Sequence, residues 1–319
     1  MQNATGTTKK SLSLQKKKMK AKTRNNITYF LFCVPMIALI FVFCYMPMPG
    51  IVVAFEKYNY VDGLWNSPWV GLKNLDFFLK TPDALQLVFN TISYNLVYIA
   101  TGMVAAVFVA ILLNDLISIR LLKTYQTIMF FPYFLSYVVV AYIVYALLSG
   151  EKGMVNTMLT SLGMSKISWY NTPAPWPGVL VFTSLWKGLG YDAVLYYATI
   201  IGIDTSYYEA ASLEGASKWQ MTRHITLPML SPILCIQLIL SVGRILTSNF
   251  ELHYQVTMNS PMLYRTTDVL DTYIFRALTE SGNYGMSAVV GLFKNLIGLV
   301  LVVGTNAIVR KIDENSSLF

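Results

Sequence analysis

Residues 207–228 read YYEAASLEGASKWQMTRHITLP, a polar interruption between the apolar runs 179–203 and 229–250. Ser206, followed three residues on by Glu209, has the spacing of a capping box, and Asp204 is a rival N-cap. Either starts a helix running through Ala210, Ala211 and Leu213. Gly215 removes the side chain where that helix must end or bend. A second amphipathic turn over 219–225 follows, and Pro228, with no donor N–H, suits the first turn of the next apolar run. The predicted product is a short helix, a bend and a second short helix lying across one face of the protein. Small residues at Ala210, Ala211, Gly215 and Ala216 permit close approach of another surface, and Glu209 and Glu214 offer it carboxylates. The same residues also suit a loop packed on its own helices, so the physics of the stretch leaves both readings open.

Outward from this stretch the chain is apolar. Of its 319 residues 55% are hydrophobic and 13% charged, against roughly 25% charged in soluble domains, and mean hydropathy is +0.51. These values predict a multi-pass membrane protein. The net charge of +8 does not point to nucleic acid, because eight of the 24 Lys and Arg lie in the first 24 residues, ahead of any apolar run. That placement suits a tail facing anionic lipid. Cys33, Cys44 and Cys235 fall inside apolar runs, which argues against a disulfide framework. The two histidines sit in no metal-ligand spacing. The first apolar run is too long for a cleaved signal peptide and lacks a small-residue cleavage site, so it reads as a retained span.

Spans of about 20 apolar residues are expected at 27–55, 87–113, 121–148, 179–203, 229–250 and 286–309. With the N-terminus inside, fourteen Lys and Arg fall in cytoplasmic segments and seven in external ones, the remaining three lying within spans. By the positive-inside bias both termini are cytoplasmic, and so is 207–228. The expected organisation is a basic cytoplasmic tail at 1–26, a six-helix permease-like region at 27–312 with the polar segment at 204–228, and a short cytoplasmic tail at 313–319. Trp65, Trp69, Trp169 and Trp176 mark the external connections, as interfacial belts or as contacts to an external partner.

The order Glu209-Ala210-Ala211, three residues, Gly215, nine residues, Ile225-x-Leu227-Pro228 resembles the coupling-loop motif of binding-protein-dependent ABC importer permeases. Every position of the pattern is filled, between the spans where the family carries it. The likeness continues in Trp186-Lys187-Gly188, Asp204, Phe250-Glu251, Asp271-Thr272-Tyr273 and Gly291-Leu292-Phe293-Lys294, which are similar to a branch of complex-oligosaccharide permeases of lipoprotein-gene-cluster or aldouronate type. Glu214 stands where many members have Asp, and the carboxylate is kept. The resemblance implies an all-α membrane protein of six transmembrane helices with a cytoplasmic coupling helix, similar to type I ABC importer permeases. It also implies a prokaryotic plasma-membrane location and transport of carbohydrate by alternating access. The implied partners are a second permease subunit in a heterodimer, two ATPase subunits or domains, an extracellular solute-binding protein, the carbohydrate substrate and membrane lipid. No G-x-x-x-x-G-K-[ST] loop exists in the chain, so the chain is expected to bind no cofactor itself and to catalyse nothing, with ATP and Mg²⁺ held in the partner ATPase.

Ionisable groups inside spans are costly and usually face a cavity or a partner. Lys187, Asp192, Arg244 and Lys294 are such groups. In the fifth run Ser241, Arg244, Ser248 and Glu251 recur at three, four and three residues and fall in one narrow sector at about 100° per residue, a polar stripe. Asn90, Tyr94 and Thr101 align similarly in the second run. A polar path along these stripes, with Tyr94, Trp186, Tyr191 and Tyr197 stacking on sugar rings, is one reading. Interhelical hydrogen bonding and snorkelling of Lys187 and Glu251 is the other. The candidate path residues are Asn90, Tyr94, Trp186, Lys187, Tyr191, Arg244, Ser248 and Glu251. Gly291 and Gly298 are read as close-packing positions. Two further classes stay in view, an ion-gradient-driven secondary transporter and an ABC permease for a non-sugar solute. The first is disfavoured by the single deep carboxylate, Asp192, and by the lack of an internal repeat.

Overall fold

Proline and glycine decide where the long helices of this chain bend. The computed structural model describes residues 26, 28–312 and 317–318. The tails expected at 1–26 and 313–319 therefore fall outside the described residues, except for residues 26, 317 and 318. Contacts divide the chain into two units, one carrying the described residues up to Val53 with Tyr58–Ser67, the other Ala54–Lys57 with Pro68–Phe319.

Helix α1, Thr28–Phe55, supplies most of the first unit and is exposed on every side from Thr28 to Pro49. A helix apolar all round is matched to lipid or to other helices. Its turn Phe41–Tyr45 widens to π, with the Met46 N–H reaching the Phe41 carbonyl at 2.9 Å. The widening comes just before Pro47 and Pro49, whose missing donors and ring bulk break the regular ladder.

In the second unit, α2, Ala84–Asn114, runs beside α5, Trp176–Ile200. Between them lie α3, Ile119–Phe134, and α4, Tyr137–Leu148, which meet at a bend of 98°. The single span expected over 121–148 is thus broken. Pro132 disrupts the helical ladder, and the Ser136 hydroxyl, 3.4 Å from the Val139 N–H, caps a new helix. After α5 come α6, Thr205–Leu213, and α7, Lys218–Gly243. The last helices are α8, Leu270–Thr279, and α9, Tyr284–Ile312. Among the described residues the one β feature is an isolated antiparallel bridge between Glu56 and Trp69.

Helices α1, α2, α7 and α9 are long and apolar enough to cross a membrane, and the bent α3–α4 pair brings the number to five. Helix α5, at 25 residues, is about 37 Å long but diluted by Lys187, Asp192 and three glycines.

The fifth expected span also ends early. Helix α7 stops at Gly243, the chain turns through Arg244–Asn249, and helix resumes at Phe250. Close packing accompanies this break: a Cβ on Gly243 would strike the Val302 side chain, and one on Gly298 would strike the Gly243 carbonyl oxygen. Gly298 is a close-packing position as expected, whereas a Cβ on Gly291 would meet nothing within 4 Å. A Cβ on Gly190 would strike the Met129 carbonyl, so α5 lies directly against α3. Ala106, Ala110, Ala193, Tyr196, Ile200 and Leu230 form the buried seam joining α2, α5 and α7.

Candidate functional site

Two places collect functional groups. The first is the polar segment 204–228. Asp204 is its N-cap, accepting the Ser206 N–H at 2.9 Å, so the rival Ser206–Glu209 capping box does not form. This bond holds the exposed Asp204 carboxyl below the usual carboxylate range. Helix α6 ends in a Schellman motif: Gly215 N–H bonds the Ser212 carbonyl and Ala216 N–H the Ala211 carbonyl, each at 3.0 Å. Gly215 has φ +79° and open space around it, so its role is conformational.

Immediately afterwards Ser217 and Gln220 form a capping box, with the Ser217 N–H donating to Gln220 Oε1 at 2.7 Å. Helix α7 therefore begins at Lys218 and passes without interruption into the apolar run. Pro228 stands in the first turn of the α-helical run Leu227–Gly243, as expected, directly after the π turn Thr222–Thr226. The widened turn, closed by Leu227 N–H on the Thr222 carbonyl, accommodates the proline's missing donor and ring.

The Tyr208 and Thr226 hydroxyls lie 2.9 Å apart and tie α6 to α7. Glu209, Ala210, Gly215 and Pro228 are exposed, Ala211, Ile225 and Leu227 half-buried. Leu213 and Trp219 stand 90% and 69% exposed on either side of the bend. Two large apolar side chains and two glutamates thus face outward on a rigidly capped scaffold.

The second place is a cavity of about 660 Å³ among α2, the α3–α4 bend, α5, α7 and the turn after it. Its polar wall includes Tyr98, Tyr137, Lys187, Asp192, Gln237 and Glu251. Lys187 is 8% exposed, and its ammonium donates to the carbonyls of Tyr133 at 2.8 Å and Pro132 at 3.4 Å. Those carbonyls belong to the broken turn, where the Pro132 carbonyl also takes the Leu135 N–H at 3.2 Å, so Lys187 adds a donor to the end of α3 from a neighbouring helix. The same ammonium lies 4.9 Å from the Tyr137 ring centre and 5.6 Å from that of Tyr133.

Residues 99–314 match the model of binding-protein-dependent transport system inner membrane components. The chain belongs to this family. Protein LplB of Bacillus subtilis (strain 168) is 31% identical over 285 residues, covering 89% of each chain. The polygalacturonan/rhamnogalacturonan transport system permease protein YteP of the same organism is 31% identical over 286 residues, 89% of this chain and 88% of that protein. Among solved structures, a bacterial ABC transporter involved in import of the acidic polysaccharide alginate superimposes with TM-score 0.84 at 28% identity, over 93% of this chain and 99% of that one. A bacterial alginate ABC transporter in complex with its alginate pentasaccharide-bound periplasmic protein gives 0.82 at 29% identity, over 92% and 97%. This protein is accordingly an all-helical inner-membrane permease of the type I ABC importer fold.

In this permease the eight candidate path residues do not converge. Lys187 and Glu251 line the cavity. Asn90 and Tyr94 are each 6% exposed and serve structure: Asn90 donates to the Asp268 carbonyl at 2.9 Å, and the Tyr94 hydroxyl to the Thr266 carbonyl at 2.7 Å. They hold the segment before α8 against α2. Ser248 is buried, with its backbone N–H 2.7 Å from Asp271 Oδ2, while Asp271 also pairs with Lys294. Arg244 is exposed at the end of α7. The expected stripe of Ser241, Arg244, Ser248 and Glu251 required one continuous helix, and the break after Gly243 dissolves it. Trp186 faces a separate apolar groove with Phe182 and Ile143, and Tyr191 stacks on Tyr133 at 4.7 Å.

Sequence reasoning missed Tyr137, Gln237 and Asn249 as cavity residues, and placed Tyr98 only near the polar line of the second run. The legible signal for the α3–α4 portion was Pro132 followed by Ser136, a breaker and then an N-cap. Tyr98 reaches the site through tertiary contact with His253, whose Nε2 is 3.1 Å from its hydroxyl. His253 Nδ1 faces the Thr267 carbonyl at 2.8 Å, which assigns the proton to Nδ1 and leaves Nε2 to accept.

Proposed function

We propose that this permease is one of two membrane subunits of an ATP-driven importer that moves oligosaccharides inward by alternating access. The segment 204–228 docks on a separate ATPase subunit through Glu209, Ala210, Ala211 and Gly215, with Ile225, Leu227 and Pro228 carrying the motion into α7. The observation behind this reading is a rigidly capped, outward-facing segment bearing the complete coupling motif in a chain with no phosphate-binding loop of its own. ATP and Mg²⁺ belong to the partner chain. Six crossings, formed by α1, α2, the α3–α4 pair, α5, α7 and α9, put both termini in the cytoplasm, and Lys187 and Glu251 on the wall of the translocation path.

The carbohydrate assignment draws on the named relatives, which include a polygalacturonan/rhamnogalacturonan permease and an alginate importer. An extracellular solute-binding protein delivers the glycan, as the alginate importer's periplasmic protein carries a pentasaccharide. The test is co-purification with the neighbouring ATPase, repeated after substituting Glu209 and Gly215 together. Loss of ATPase binding and of glycan uptake is expected. An intact complex that still transports would refute the docking assignment.

A further inference from the structure

The turn 115–118, between α2 and α3, holds a large apolar side chain in the open: Ile117 is 98% exposed. Hydrogen bonds fix the chain on both sides of it. The Asp115 N–H reaches the Ile111 carbonyl at 3.2 Å and the Leu116 N–H the Leu113 carbonyl at 3.3 Å, closing α2. The Ser118 carbonyl takes the Leu122 N–H at 2.9 Å, and the Ser118 hydroxyl caps α3 through the Leu121 N–H. A lone exposed isoleucine is ordinary. One held rigidly between two capped helix ends loses little freedom on docking, and its neighbours decide what docks there.

Its neighbours belong to the coupling segment. Lys218 Nζ lies 3.6 Å from Asp115 Oδ1 with both side chains exposed, a pair that adds little energy but fixes proximity. Lys218 directly precedes Trp219, and Asp115 stands two residues before Ile117. The buried seam of Ala106, Ala110, Ile200 and Leu230 sets the end of α2, the end of α5 and the start of α7 side by side. The turn and the coupling segment therefore leave the helices at one end, where Ile117, Leu213 and Trp219 are all exposed. Lipid does not account for Ile117. Helix α2, with 31 residues, is about 46 Å long, against a hydrocarbon core of roughly 30 Å. On the proposed topology it enters at the outer face, so the turn beyond Asn114 stands at or past the inner headgroups.

We propose that the turn 115–118 is a second docking element for the ATPase subunit, with Ile117 as its apolar anchor beside the coupling segment. The inference rests on the reading of 204–228 as the ATPase-docking segment and adds a contact outside that motif. Through this contact, movement of the ATPase reaches α3 and the bend at Pro132, while the coupling segment moves α7. The cavity wall is then driven at two points.

The experiment uses the whole transporter, with photoreactive p-benzoylphenylalanine placed at position 117, 213 or 112, one at a time. Position 213 reports the coupling segment, and 112, exposed on the last turns of α2, is the control. On illumination, 117 and 213 are expected to give a permease–ATPase adduct and 112 none. An adduct from 213 without one from 117, or a lipid adduct alone from 117, overturns this proposal and leaves the coupling-segment reading standing. No adduct from either position overturns both. A second measurement removes the ATPase and titrates it back onto permease in lipid nanodiscs. Ile117→Asp is expected to raise the concentration for half-maximal rebinding about tenfold, and Ile117→Leu, which keeps an apolar anchor, about twofold. Rebinding of the Ile117→Asp protein at the wild-type concentration overturns the anchor role.

Discussion

At the scale of single residues, the coupling segment works through backbone geometry and one side-chain tie. Gly215 sits at φ +79° with open space where a β-carbon would stand. Gly215→Ala should therefore destabilise the end of α6 by about 1–2 kcal/mol through conformation alone. Gly215→Asn, which tolerates that region, should cost less. Amide exchange over 205–221 would order wild type, Asn and Ala from slowest to fastest, and equal protection in Gly and Ala would contradict the role. The Tyr208–Thr226 hydroxyl pair is tested by a cycle. Tyr208→Phe strands the buried Thr226 hydroxyl at about 1–3 kcal/mol and should lower uptake per ATP hydrolysed, while adding Thr226→Val should restore most of it, since replacing both partners is nearly neutral. Asp204 gives a pH dependence of known sign. Its pKa is lowered by the Ser206 N–H in the folded state, so the cap's contribution is present above the unfolded value, about 3.9, and is lost as pH falls through the folded one. Helix content of the segment should decline in that acidic window for the wild type and stay flat for Asp204→Ala.

At the scale of helices, breaks shape the cavity. The α3–α4 bend is held from one side by the Ser136 cap and from the other by Lys187. Ser136→Ala should cost about 0.5–2 kcal/mol. Lys187→Met should cost about 1.5–3 kcal/mol, because a charged donor to carbonyls is lost. Thermal melts of the purified complex would rank the two, and a Lys187→Met protein as stable as wild type would deny the lysine its structural part. Gly298 and Gly291 look alike in sequence, yet only the first lies against another backbone. These contrasts explain what was legible. The coupling segment was readable because its caps and its glycine act within a few residues of one another, although the Ser217–Gln220 box went unread. The long helices were readable from apolar length. The break after Gly243 was not, because its setting is α9, about 55 residues further along the chain. The polar stripe presumes an unbroken helix, and of its four residues Ser241 and Glu251 line the cavity. Asn90 and Tyr94 looked like path residues because polar groups in a span ask for a partner, and their partners, the carbonyls of the segment before α8, are invisible to periodicity.

At the scale of the molecule, the open question is the role of α5. It is long enough to span the bilayer, yet it carries Lys187 and Asp192 and is less apolar than the others. Both charges face the cavity, so the helix need not present either to lipid. Between Glu151, in the turn after α4, and Ser217, at the start of α7, α5 is the one helix long enough to cross. If it crosses, those two positions lie on opposite sides of the membrane; if it lies along the surface, they share a side. Replacing Cys33, Cys44 and Cys235 and introducing Glu151→Cys or Ser217→Cys one at a time converts this into a labelling experiment with a membrane-impermeant maleimide. Glu151→Cys should react in intact cells and Ser217→Cys only in inverted vesicles. Reaction of both from the same face would remove α5 from the set of spans, leave five crossings, and put the two termini on opposite sides. The Lys and Arg bias argues against that arrangement, because an uneven crossing number would carry the basic pair Arg310 and Lys311 to the outer face.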